Sequence, residues 1–179
     1  MEYKENALCY EDYCRLRESV EWLNFSEIQT RKAINNSLYT VIAVENNQTI
    51  GMGRVIGDGF YYMIVDVIVQ PTYQHKGIGS RIVGKIIEYV DRETPDGGRS
   101  SIQLIAEKGK EVFYEKMGFK SLPNDFCGSG MRKVIHKFWT GKIIHKFTSK
   151  KWSGGADCID ELIFKATNAP VKRMKIEYV

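Results

Sequence analysis

Residues Tyr61–Val69 read Tyr-Tyr-Met-Ile-Val-Asp-Val-Ile-Val, an almost wholly apolar run. Such a run fits a strand covered on both faces, because a half-solvated strand would alternate with polar residues. Pro71 closes it, since proline cannot donate to a sheet ladder. Gln74–Gly79 is a short glycine-containing turn, and the chain then changes period. Ile78, Ile82, Val83, Ile86, Ile87 and Val90 recur at helical spacing, with Arg81, Lys85, Glu88 and Asp91 on the opposite face. A central strand, a tight turn and an amphipathic helix must therefore pack as one unit.

The flanking segments extend this unit. Tyr10, Tyr13, Cys14, Leu16, Arg17 and Val20 have near-helical spacing, and Ser26 is an N-cap before a helix over Glu27–Asn36. Tyr39–Val44 and Thr49–Ile56 are strands about an Asn46-Asn47 turn, and Gly57-Asp58-Gly59 leads by a hairpin into the central strand. Thr94-Pro95-Asp96-Gly97-Gly98 is a loop. Ser101–Ala106 is then a strand, Lys110–Met117 a short helix stopped by Gly118, and Phe119–Leu122 a further strand.

Several functional classes fall away on bulk properties. No stretch reaches the ~20 apolar residues of a membrane span, and the N-terminus lacks a signal peptide's apolar run. Cys9, Cys14, Cys127 and Cys158 form no C-x-x-C pair and no zinc spacing with histidine. The expectation is reduced thiols in a cytoplasmic protein, with no metal. The net charge of +4 is concentrated in residues 134–179, which carry 9 basic and 4 acidic residues. No nucleic-acid motif accompanies that charge, so a solvated basic face is the simpler reading.

The chemistry lies in Gln74-His75-Lys76-Gly77-Ile78-Gly79. Glycines there let backbone N–H groups converge at the positive end of a helix dipole, which binds a pyrophosphate without side chains. A dinucleotide fingerprint is excluded because Ile82 occupies the position that needs a small residue, and no P-loop spacing is present. The Q-x-x-G-x-G pattern after an apolar strand, with Phe113-Tyr114-Glu115-Lys116-Met117-Gly118-Phe119 downstream, resembles the GNAT superfamily of N-acetyltransferases. The resemblance covers about residues 1–133.

The resemblance implies an α/β (α+β) fold: a mixed, mostly antiparallel sheet with a central splayed parallel strand pair and helices on both faces. Val67, Ile68 and Val69 would expose backbone amides to a pantetheine arm. Gln74, His75, Lys76, Gly77, Ile78, Gly79 and Ser80 would surround the phosphates of acetyl-CoA. Tyr114 would stand near the CoA sulfur as general acid, against the alternative of a core aromatic. Asp66 and Glu107 are the candidate bases for the attacking amine, and Asp66 could equally be a carboxylate satisfied within the sheet. Trp22, Tyr39, Tyr61 and Tyr62 could line an acceptor pocket or belong to the core. Arg54 could meet an acceptor carboxylate or form a surface ion pair.

The expected function is acetyl transfer from acetyl-CoA to a primary amine of a small molecule or peptide. The alternative is a catalytically weak CoA-binding sensor or scaffold. Residues 134–179 form a separate extension in which Val134–Phe138 and Ile143–Phe147 are near-repeats. Ile159, Leu162, Ile163 and Ala166 make a helical stripe, and Met174, Ile176 and Tyr178 alternate as in a strand. These faces call for a partner, either the same core or a second copy in a homodimer. Truncation after Lys133 should therefore lower the melting temperature or change the mass in solution. A truncated protein matching the full chain in both would make the extension a passive appendage.

Overall fold

The computed structural model describes residues 1–134. Residues 1–121 belong to one compact unit, and residues 122–134 to a second. The expectations for residues 135–179 lie outside the described residues. In the first unit the order is β1 (Glu2–Glu5), α1 (Tyr10–Ser19), α2 (Glu27–Asn35), β2 (Tyr39–Glu45), β3 (Gln48–Gly57), β4 (Tyr61–Val69), a 3-10 turn (Pro71–Tyr73), α3 (Ile78–Glu93), β5 (Ser101–Gln103) and α4 (Glu111–Glu115). The strands lie in chain order across the sheet; all pairings are antiparallel except β4 with β5. In the second unit, Asn124 and Cys127 exchange backbone hydrogen bonds around a turn capped by the Asn124 side chain.

Caps start the N-terminal helices. The Cys9 sulfur accepts from the Asp12 amide ahead of α1. Ser26 accepts from the Gln29 amide and donates to its side chain, which fixes the start of α2 as expected. Both helices lie over one face of the sheet, where Leu8, Tyr13 and Leu16 pack with Ile42, Met52 and Ile68. On the other face Ile78, Ile82, Val83, Ile86 and Val90 of α3 pack on Tyr39, Val41, Val55, Tyr62 and Ile64. The helical stripe expected from the sequence is this face, with Ile87 half-buried at its margin.

Three expectations need correction. β1 pairs with β2 over Glu5–Val41 to Glu2–Val44, although the pattern of the N-terminal segment predicts helix alone; the Glu-Tyr-Lys-Glu sequence has too little apolar content to register as a strand. Phe119–Leu122 makes no strand, because Gly118 at φ 89° turns the chain and the Phe119 amide donates to the Tyr114 carbonyl. The strand expected over Ser101–Ala106 stops at Gln103, and the parallel pair it makes with β4 stands at the end of the described sheet rather than at its centre.

Glycines in β3 set how closely α3 lies on the sheet. A Cβ on Gly53 would stand 2.6 Å from Ile82 Cγ2 and 3.1 Å from Ile86 Cδ1; one on Gly51 would meet the Ile68 carbonyl and Ile82, each at 3.1 Å. Ile82 and Ile86 are fully buried, so neither can swing away freely. Gly53→Ala should therefore destabilise the protein by ~1–3 kcal/mol, the usual cost of overpacking a filled core. Urea denaturation measures this, and an unchanged midpoint would show that α3 can lift off without penalty.

Candidate active site

β4 and β5 pair only over Tyr61–Ser101, Tyr62–Ile102 and Met63–Gln103. Beyond Met63 the two chains part, and a cavity of about 500 Å³ opens between them. From β4 it is lined by Asp66, Val67, Ile68 and Val69, and from the subsequent turn by Gln74, His75, Gly77, Ile78, Gly79 and Ser80. Leu104, Ile105 and Glu107 line it from the strand that turned away, Phe113 and Tyr114 from α4, and Val20 and Trp22 from just past α1. The divergence expected from the resemblance is therefore present, and it leaves the β5-facing backbone edge of Ile64–Val69 without a strand partner among the described residues.

The turn is built to present N–H groups. His75 and Gly77 both have left-handed backbones, at φ 61° and 77°. Gly77 caps α3, and a Cβ there would meet nothing, so the conformation and not the space requires glycine. The first intrahelical bond runs from the Arg81 amide to the Gly77 carbonyl, which leaves the amides before it aimed outward at the positive end of a 16-residue helix. Gln74 uses its side-chain amide to fasten the turn to the Val69 carbonyl at 2.9 Å. Lys76 is not part of the lining; its ammonium lies 4.9 Å from the Tyr73 ring centroid. A Cβ on Gly79 would lie 3.4 Å from Phe113, at van der Waals contact, so any longer side chain there would meet that ring.

Tyr114 meets Phe113 and Phe119 edge-on, at centroid distances of 4.8 and 6.0 Å. The turn at Gly118 folds Phe119 back onto it, which gives the F-Y-x-x-x-G-F spacing a physical reason. Burial pushes the Tyr114 phenol above its ordinary range, and the Glu107 carboxylate pushes it in the same direction. The hydroxyl therefore stays protonated at neutral pH and can donate.

Asp66 is placed differently from a free base. Arg17 Nη1 donates to Oδ1 at 2.9 Å. Arg54 Nε and Nη2 reach Oδ2 at 2.9 and 2.7 Å, and the Tyr13 hydroxyl donates to the same oxygen at 3.2 Å. Asp66, Arg17 and Arg54 are 7%, 4% and 6% exposed, so these donors supply most of the carboxylate's solvation. Both Asp66 oxygens thus accept from side chains of the fold, the arrangement described by the second of its two sequence readings. Arg54 likewise forms neither a surface pair nor an open binding group; it is buried and also donates to the Ala33 carbonyl and Ser37 hydroxyl. Arg17 is the site-related residue that the sequence reasoning missed. Its signal was a cation on the apolar stripe of α1.

Of the aromatic residues considered for the acceptor wall, Trp22 lines the cavity. Tyr39 is buried and stacked on Tyr89, Tyr62 is core, and Tyr61 is exposed away from the lining. Among the described residues no group of His, Cys, Asp and Glu has a metal-binding arrangement, and no helix is long and apolar enough to cross a membrane.

Residues 9–137 match the model of the GNAT acetyltransferase domain, and the chain belongs to that family. An uncharacterized N-acetyltransferase, ycf52 of Pyropia yezoensis, is 28% identical over 119 residues, covering 64% of this chain and 66% of that relative. A probable acetyltransferase of unknown function from methicillin-resistant Staphylococcus aureus is 31% identical with a TM-score of 0.67, covering 75% of this chain and 98% of that one. An aminoglycoside 6′-N-acetyltransferase solved with coenzyme A shares the fold, at 18% identity and a TM-score of 0.57, over 72% of this chain and 92% of its own.

The buried phenols give the fold an alkaline limit. Burial and the Asp66 carboxylate push Tyr13 up to about 12 from 10.0, and burial also raises Tyr39 and Tyr114. Above pH 10 the unfolded chain releases protons that the folded chain keeps, so stability falls as pH rises from about 10 towards 12. Melting temperatures across that window should decline, and Tyr13→Phe should make the decline shallower. Identical slopes for both proteins would remove Tyr13 from the effect.

Proposed function

We propose that the protein transfers an acetyl group from acetyl-CoA to a primary amine of a small molecule or peptide, by direct attack of the amine on the thioester. The observation that carries this reading is a cavity bounded by a strand edge that is unpaired among the described residues and ending at the glycine turn that starts α3. The edge at Val67, Ile68 and Val69, where Gln74 occupies the Val69 carbonyl and no strand pairs among the described residues, can hydrogen-bond an amide-bearing pantetheine arm as a strand would. The amides from His75 to Ser80 can receive the pyrophosphate, with Gln74 bracing the turn. Lys76 and Arg81 add positive charge outside the cavity.

In the proposed step the amine nitrogen bonds to the thioester carbonyl carbon. A β4 amide polarises the carbonyl oxygen, and the carbon–sulfur bond then breaks. Tyr114 hydrogen-bonds the departing sulfur and gives it a proton as thiolate charge develops; a phenol above ~10 is a weaker acid than a thiol near ~8.5, so this transfer is uphill by itself and is completed when the phenolate takes up the amine's proton by way of the cavity-wall carboxylate. Asp66 is left out as base because its oxygens are committed to Arg17, Arg54 and Tyr13. Glu107, on the cavity wall, receives the proton of the attacking amine directly or through water. The products are an acetamide and CoA thiol. We infer a cytoplasmic setting for this reaction, a reading supported by the free thiols of Cys9, Cys14 and Cys127.

Titration calorimetry with CoA and acetyl-CoA, and thiol release with polyamines, amino acids, aminoglycosides and lysine peptides, test the reading. Gly77→Glu and Gly79→Glu should abolish CoA binding in folded proteins, the first through backbone conformation and charge, the second through charge and the Phe113 contact. Unchanged affinity in both would defeat the phosphate assignment. Tyr114→Phe should lower turnover by ~10²–10⁴-fold while CoA affinity holds. Near-normal turnover would give proton delivery to water. Tight CoA binding with no turnover on any amine would favour the sensor.

A further inference from the structure

The register between β3 and β4 contains an extra residue. Met52 faces Ile68 and Arg54 faces Val65, so Asp66 and Val67 together oppose Gly53. This is a β-bulge, and Asp66 in it has a left-handed backbone at φ 52°. Its effect can be read from the core. Tyr62 and Ile64 pack on the α3 side, but Ile68, an even number of residues further on, packs on the α1 side. An unbroken strand would keep all three on one face. The bulge thus re-aims the backbone of β4 at the point where β5 has left and the cavity begins.

We propose that Asp66 is a positioning residue: the clamp of Arg17, Arg54 and Tyr13 on its carboxylate holds the bulge, and so sets which β4 backbone groups face the thioester. This rests on the acetyl-CoA reading of the cavity. The clamp reaches Asp66 from two elements, α1 through Tyr13 and Arg17 and β3 through Arg54. Each arginine is itself fixed further out. Arg54 donates to the Ala33 carbonyl and Ser37 hydroxyl at the end of α2. Arg17 donates twice to the Leu23 carbonyl, and its guanidinium lies 5.5, 5.2 and 4.9 Å from the ring centroids of Tyr13, Trp22 and Phe25. Trp22 is also a cavity wall. One cluster therefore fastens the strand edge and the facing wall to the same helical layer. An apolar trio of similar volume would fill the space without the cost of burying charge, but would have no grip on the Asp66 backbone.

Infrared spectroscopy of bound acetyl-CoA, labelled with ¹³C at the acetyl carbonyl, reads the proposed hydrogen bond without any acceptor. In the native protein the carbonyl stretch should lie below that of free acetyl-CoA. Two variants test the clamp: the triple variant Arg17→Met, Arg54→Met, Asp66→Ala, which removes the charges together, and Asp66→Gly, which keeps backbone freedom but lacks the tether. Each should bind CoA like the native protein and lose the shift. A native-like stretch in either folded variant overturns the proposal. Collapse of the fold in both also overturns it, since the cluster would then be a folding element. A native protein that binds acetyl-CoA with an unshifted carbonyl overturns it too. A native protein that does not bind acetyl-CoA at all instead removes the acetyltransferase reading on which the proposal rests.

Discussion

The contact between α3 and the sheet is the constraint on which the geometry of the cavity depends. α3 lies against β3 where Gly51 and Gly53 present no side chains, and Ile78, Ile82 and Ile86 fill the space a Cβ would take. A helix seated there has little freedom to slide, because its apolar stripe is buried at five positions, each worth ~1.5–3 kcal/mol. Its start is therefore fixed relative to the end of β4. The connection between them, from Gln70 to Gly77, is a short turn with Gln74 bonded back to Val69. The outward amides of the helix consequently come to the end of a strand whose edge has no strand partner among the described residues, which neither element could arrange alone.

The free edge has its own cause. β5 runs beside β4 for three residues and then leaves, while β4 continues for six more, paired among the described residues with β3 alone. A strand at a sheet edge is normally protected by brevity, charge or a bulge. Here the bulge at Asp66 and the cavity coincide, so the disruption of the ladder falls on the side where a ligand can replace the missing strand. The arginine pair on Asp66 makes the irregularity a fixed feature of the fold.

Much of this was legible in the sequence because it depends on local patterns. The stripe of α3, the Ser26 cap, the β2–β3–β4 meander and the turn at Gln74–Gly79 each come from spacing or from the conformational demands of particular residues. What escaped was set by tertiary contacts. Asp66 in an apolar strand has the same local sequence whether its carboxylate is open or bound, and its occupation by Tyr13, Arg17 and Arg54, the second of them 49 residues away, comes from tertiary contact alone. β1 is a strand because β2 offers it an edge; its own residues give little sign of it. Phe119 looks like the start of a strand, yet the left-handed turn at Gly118 sends it back to Tyr114. Arg17 sat in plain view on the apolar face of α1, and a cation in that position implies a buried partner.

The electrostatics of the cavity also bear on the proposed chemistry. Glu107 raises the Tyr114 phenol, so the negative charge that would accept a proton from the amine also keeps the acid protonated. The two roles reinforce each other through one interaction. Before attack, a carboxylate on the wall favours the neutral phenol over phenolate. Once Glu107 has taken the amine's proton its charge is gone, and the phenol loses that restraint on ionisation at the stage when the sulfur needs a proton. In the proposed step, proton uptake by Glu107 and release by Tyr114 are thus coupled in the productive order. Burial contributes the larger push on Tyr114, and it is unchanged by the step, so the phenol remains a donor that waits for thiolate charge to develop and does not ionise into water.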